Sequence, residues 1–231
     1  MPNKLEFNQL NPRIRFKERK FKFTQNQIDF LRTTLEDKTK LMFLSGPAGT
    51  AKTYMAVYSA LQVMMNSGLE KDILYIRSIA ESSQKSLGSL PGSIDEKFAV
   101  FSGPFYDKMD EMLNTSDIKV LRDKNQFQCI PVNFVRGSNW NDTIVVIDEA
   151  QNFTYNELVT VLTRIGENSK IIICGDMTQA DIKSSGFKKV FNTFNDEESK
   201  ENGILCTEFT YEDIKRSEIL KFIIKKLEDK I

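Results

Sequence analysis

Five short apolar runs punctuate the chain: KLMFLS (40–45), DILYIR (72–77), TIVVID (143–148), KIIIC (170–174) and ILCTEF (204–209). They are rich in β-branched residues and apolar on both faces, the pattern of strands covered by helices on either side. Between them, 52–66, 94–113, 154–165 and 184–196 fit helices. A last one spans 212–229, with Ile214, Ile219, Ile223 and Leu227 at helical spacing. Thr24 is suited to cap a helix over 25–36. NDEESKEN (195–202) reads as a solvated loop. Strands alternating with helices predict a mainly parallel central sheet in a three-layer α/β domain.

Composition narrows this to one domain. The 231 residues are 40% hydrophobic, enough for one sizeable core rather than two. We therefore divide the chain into an extension, 1–23, and a single domain, 24–231. Basic and acidic residues balance at 32 each, but residues 1–23 hold seven basic residues against Glu6 and Glu18. Within that segment, RIRFKERKFKF (13–23) alternates basic with aromatic or aliphatic residues. It could lay phosphate contacts and stacking faces along a nucleic acid, or form an edge strand whose lysines discourage aggregation.

Three cysteines (Cys129, Cys174, Cys206) fit neither a disulfide framework nor a zinc site. Cys174 and Cys206, at the ends of apolar runs, read as buried thiols in a reducing cytoplasm. No apolar run is long enough to span a membrane. The chain has no histidine, which excludes Ser-His-Asp and Cys-His catalysis and most transition-metal sites.

Candidate chemistry begins at GPAGTAKT: Gly46, Pro47, Ala48, Gly49, Thr50, Ala51, Lys52 and Thr53. It follows a predicted strand and opens a predicted helix, the context of a phosphate-binding loop. Its backbone N–H groups and the helix amino terminus would ring the phosphates of ATP. Lys52 would reach the β- and γ-phosphates, and the Thr53 hydroxyl would ligate Mg²⁺. The departure is Ala51, where such loops carry glycine. With φ < 0 the methyl is tolerated; with φ > 0 it costs on the order of 1 kcal/mol, roughly a tenfold weakening.

TIVVIDEAQN ends an apolar strand in two acids, at the sheet edge where open α/β folds place ligands. Asp148 is suited to hold Mg²⁺, and Glu149 to orient and deprotonate an attacking water. The next strand ends CGDMTQAD, which sets Asp176 and Gln179 beside that pair, with Gln179 placed to donate to the γ-phosphate.

With GPAGTAKT, DEAQN and GDMTQ in this order, the chain resembles the PhoH-like ATPases, which resemble the first motor domain of superfamily-one helicases. RSIAESSQKSLGSLPGSIDEKF (77–98) is similar to the family's arginine-plus-EKLGFLPG signature, LTRIG (162–166) matches directly, and EDIKRS (212–217) resembles the closing EDVVRH. The resemblance covers roughly 24–220. It implies a RecA-like P-loop NTPase core that assembles as a homo-oligomeric ring, such as a hexamer. It also implies that Gln27 of TQNQ reads the adenine edge. Ser78 replaces proline, QKSLGSLPG carries one extra residue, and Ser217 replaces histidine. The transition-state cation would be Arg216, the family's closing arginine, with Arg164 and Arg136 behind it.

These readings point to an ATP-hydrolysing motor or remodeller of single-stranded RNA or DNA. The alternatives are a slow-turnover nucleotide-dependent switch or assembly protein and, third, a small-molecule kinase. The acids followed by AQN suit water activation better than transfer to an acceptor.

Overall fold

The computed structural model describes residues 14–18, 21–68, 70–78, 94–135, 139–179, 182–215 and 217–228. The strands are β1 (Leu41–Ser45), β2 (Asp72–Arg77), β3 (Phe127–Pro131), β4 (Thr143–Asp148), β5 (Lys170–Gly175) and β6 (Ile204–Glu208). They form one sheet in the order β3-β2-β4-β5-β1-β6. Every pairing is parallel. The three-layer, RecA-like α/β arrangement expected from the sequence is the one observed.

Side chains alternate cleanly across this sheet. Met42, Leu44, Ile73, Tyr75, Ile144, Val146, Ile172 and Cys174 enter one core. Leu41, Phe43, Leu74, Ile76, Val145, Ile147, Ile171 and Ile173 enter the other. The first core is closed by helices α1 (Gln25–Leu35), α2 (Lys52–Asn66), α3 (Ile94–Met112) and α4 (Thr115–Asp123). The second is closed by α5 (Tyr155–Leu162) and α6 (Phe187–Thr193). Asp148 continues the parity of Ile144 and Val146, so it faces α2, and this places it at the phosphate loop. No described helix is long and apolar enough to cross a membrane.

Several elements differ from expectation. The sequence pattern missed α4 and β3; FQCIP is a short edge strand, mostly half-exposed and ended by proline. Within 195–202 lies a helical turn, α7 (Glu197–Glu201), and not a loop. Asp196 caps it by accepting from the Ser199 N–H at 2.7 Å, and none of its residues is buried. The last helix, α8 (Glu218–Glu228), starts six residues late, because Thr210 and Asp213 close a capping box around a 3₁₀ turn at Tyr211–Asp213. Cys206 is half-buried, not buried, since β6 is an edge strand.

The described part of the amino-terminal segment forms no strand of the sheet. Phe16 makes a single antiparallel bridge to Leu113. Its ring lies 4.7 Å from that of Tyr58, Phe23 lies 5.6 Å from Tyr58, and Phe21 lies 5.0 Å from Tyr54. These aromatics therefore cover α2, and Ile14 is buried with them.

Candidate functional site

The loop between β1 and α2 is braced from outside. A Cβ on Gly46 would stand 2.8 Å from the Phe209 Cβ, so the strand can turn there only without a side chain. The Thr50 hydroxyl donates to the Pro47 carbonyl at 2.8 Å. Gln27 is fully buried: its amide donates to Thr50 O and Asp213 O, both at 3.1 Å, and its oxygen accepts from the Thr24 N–H at 3.0 Å. Both its donor hydrogens are spent on backbone, so Gln27 braces the loop and does not line the cavity in front of it.

Ala51 adopts φ 63°, ψ 30°. This is the left-handed conformation, so the strained alternative holds and the methyl costs on the order of 1 kcal/mol. The methyl packs against the core, which offsets part of that strain. Lys52 Nζ donates to Gly46 O at 2.6 Å and Pro47 O at 3.0 Å.

A cavity of about 430 Å³ opens in front of the loop. Ala48, Gly49, Ala51, Lys52 and Thr53 form one wall; Asp148, Glu149, Asp176 and Gln179 form the other. The two walls touch where the Thr53 hydroxyl donates to Asp148 Oδ1 at 2.9 Å. Asp148 is clamped from its neighbouring strands as well. The Tyr75 phenol donates to Oδ2 at 2.5 Å, and the Cys174 thiol donates to Oδ1 at 3.1 Å. Tyr75 faces Val146 across the β2–β4 pairing, so its ring reaches diagonally along the sheet to Asp148. Burial first, and the Asp148 charge second, push the phenol and the thiol well above their ordinary values, so both stay protonated donors.

Glu149 follows in the left-handed region, φ 53°. Its Oε1 lies 3.5 Å from Arg77 Nη2, and its Oε2 accepts from Gln151 Nε2 at 2.5 Å. Gln151 is buried, and its own oxygen accepts from the Asp176 N–H at 3.0 Å. A Cβ on Gly175 would approach that oxygen to 3.0 Å, so a side chain there would crowd the link. Asp176 Oδ1 accepts from the Thr178 N–H and hydroxyl at 2.9 and 2.6 Å. The Thr53 hydroxyl and the Asp148 carboxylate are hard oxygen donors in contact at the cavity wall, a set that fits Mg²⁺.

Sequence reasoning missed Gln151, Tyr75, Cys174 and Lys215. A tyrosine inside an apolar strand, and a cysteine with the parity of Asp148, were signals that could have pointed to two of them. Lys215 also lines the cavity, and its N–H donates to Gly49 O at 3.0 Å. Desolvation lowers its pKa. Arg216 and Arg136 lie outside the described residues. Arg164 is at the opposite edge: its carbonyl accepts from the N–H of Trp140, which precedes β4. That end of β4 is a strand length, roughly 20 Å, from the end that carries Asp148 and Glu149.

Residues 21–228 match the family of PhoH-like proteins. A PhoH-like protein of Synechocystis is 33% identical over 194 residues, which are 83% of this chain and 57% of that protein. One of Bacillus subtilis is 34% identical over 188 residues, 81% of this chain and 58% of that protein. The chain thus spans just over half the length of these relatives. Among solved structures, the large terminase of the thermophilic bacteriophage D6E aligns with a TM-score of 0.52 and 10% identity. The alignment covers 90% of this chain and 50% of the terminase, a likeness of fold alone.

Proposed function

The chain belongs to the PhoH-like family of P-loop proteins, and from that premise we propose that it binds Mg-ATP and hydrolyses the terminal phosphoanhydride bond. The observation that carries this reading is the 2.9 Å contact between the Thr53 hydroxyl and Asp148 Oδ1, which joins the loop to the acid-bearing strand. Lys52 exchanges the two loop carbonyls for β- and γ-phosphate oxygens. Thr53 and Asp148 hold Mg²⁺, which when bound neutralises charge on the phosphates. Glu149 takes the proton of the attacking water. Gln179 senses the γ-phosphate. Arg216 supplies the transition-state charge, from the same chain or from its neighbour in a homo-oligomeric ring. Single-stranded RNA or DNA is the partner, and ATP turnover moves or remodels it.

A slow nucleotide-dependent switch is the second reading. The observation favouring it is that both oxygens of Glu149 are held by side chains.

Phosphate release with and without single-stranded RNA and DNA, alongside native mass, tests the proposal. Lys52→Ala should abolish turnover. Glu149→Gln should lower it by about 10²-fold or more while still binding ATP. Normal hydrolysis by Glu149→Gln would remove Glu149 as the base. A fully active monomer would remove the ring.

A further inference from the structure

We infer that Arg77 is a positioning residue that holds Glu149 back from the attacking water, and that a phosphodiester anion drawing off its guanidinium frees the base. The inference rests on the reading of this site as an ATPase acting on single-stranded nucleic acid, and it names the step by which that partner reaches the chemistry.

The geometry is specific. Arg77 ends β2 in register with Asp148, the residue before Glu149. Glu149 lines the cavity and Arg77 does not, so the pair draws Oε1 toward the end of β2. On the other side Gln151 holds Oε2 and is itself anchored to the Asp176 N–H at the end of β5. The carboxylate is thus spanned between the two strands that flank β4.

The two restraints differ in kind. Gln151 is buried, and its bond at 2.5 Å is short. Among the described residues Arg77 meets Glu149 at 3.5 Å, a longer contact, and its side chain is 28% exposed. A phosphodiester offers a guanidinium two short, charge-assisted bonds in place of one long one. Arg77 is therefore the restraint that an incoming polyanion can remove, and Gln151 is the one that keeps Glu149 at the cavity afterwards. A partly exposed ion pair limits the effect to about two- to fivefold in turnover.

The test measures phosphate release by the full chain, by Arg77→Ala and by Arg77→Lys, each with and without oligo(dT) and oligo(U). Mg-ATP binding and thermal unfolding are followed in parallel to show that each variant is folded. The expected result is that Arg77→Ala raises basal kcat about two- to fivefold with KM for ATP unchanged and shows no further rise with either oligonucleotide. Arg77→Lys should restore the low basal rate and part of the stimulation. Arg77→Ala at or below the wild-type basal rate, or stimulated by the same factor as wild type, overturns the inference. The failure of the underlying reading looks different. A wild type that turns over ATP but ignores both oligonucleotides removes the nucleic-acid partner, and the restraint is then judged on the basal rate of Arg77→Ala alone. If neither wild type nor Arg77→Ala releases phosphate, both ideas fall together.

Discussion

Five described residues other than glycine adopt positive φ, and three of them, Asn125, Asp142 and Asn168, are types that tolerate it. The other two are Ala51 and Glu149, both of which line the candidate site. Strain of this kind gathers where geometry is held for chemistry. For Ala51, the sequence posed the question of the missing glycine, but the sign of φ lay in the backbone alone. Replacing Ala51 with glycine should change stability by less than about 0.5 kcal/mol, because the relief of left-handed strain is offset by the lost methyl contacts and the added entropy of the unfolded chain. Thermal unfolding would show this as a Tm within about 2 °C of wild type.

Among the elements, four of the five apolar runs were legible because central parallel strands are buried on both faces and carry little but apolar residues, whereas the fifth, β6, is a half-buried edge strand. The edge strand β3 and the helix α4 were not, because each is only partly buried and its signal is diluted. The start of β5 shows a polar residue used structurally. Lys170 is buried, and its ammonium donates to Glu36 O at 2.9 Å and to Thr34 O, the carbonyls at the end of α1. A cation suits that end of a helix, yet burial prevails and lowers its pKa from 10.5 to about 8. Below pH 8 Lys170 is protonated folded or unfolded, and the burial penalty is fully present. Between about 8 and 10.5 the folded chain releases the proton first, so stability should rise with pH across that window. Denaturant unfolding measured from pH 7 to 10.5 should show the rise, and Lys170→Met should flatten it.

Across the whole molecule, the two ends of the domain are tied together beside the phosphate loop. Asp213, buried after β6, accepts from the Thr24 hydroxyl, from Asn26 Nδ2 at 2.9 Å and from the Thr210 N–H at 2.7 Å. Gln27 adds its bonds to Asp213 O and Thr50 O. The first helix, the loop and the last 3₁₀ turn thus share one polar network. Asp213→Ala would leave three part-buried donors without their acceptor and should cost about 1–2 kcal/mol, read as a lower denaturation midpoint. Neither TQNQ nor EDIKRS reveals this tie, because the partners stand 189 residues apart.

Sequence alone determined the alternation of strands and helices, the parallel sheet, the phosphate loop and the two acids that answer it. Each of these is written in a local run of residues whose periodicity or spacing has one physical reading. Tertiary structure alone decided that Gln27 braces the loop, that Ala51 is strained, and that Glu149 is held by Arg77 from β2 and by a Gln151 anchored to Asp176 at the end of β5. Those outcomes depend on strand order and side-chain parity, which bring distant residues within bonding range and leave no trace in the spacing of any one segment.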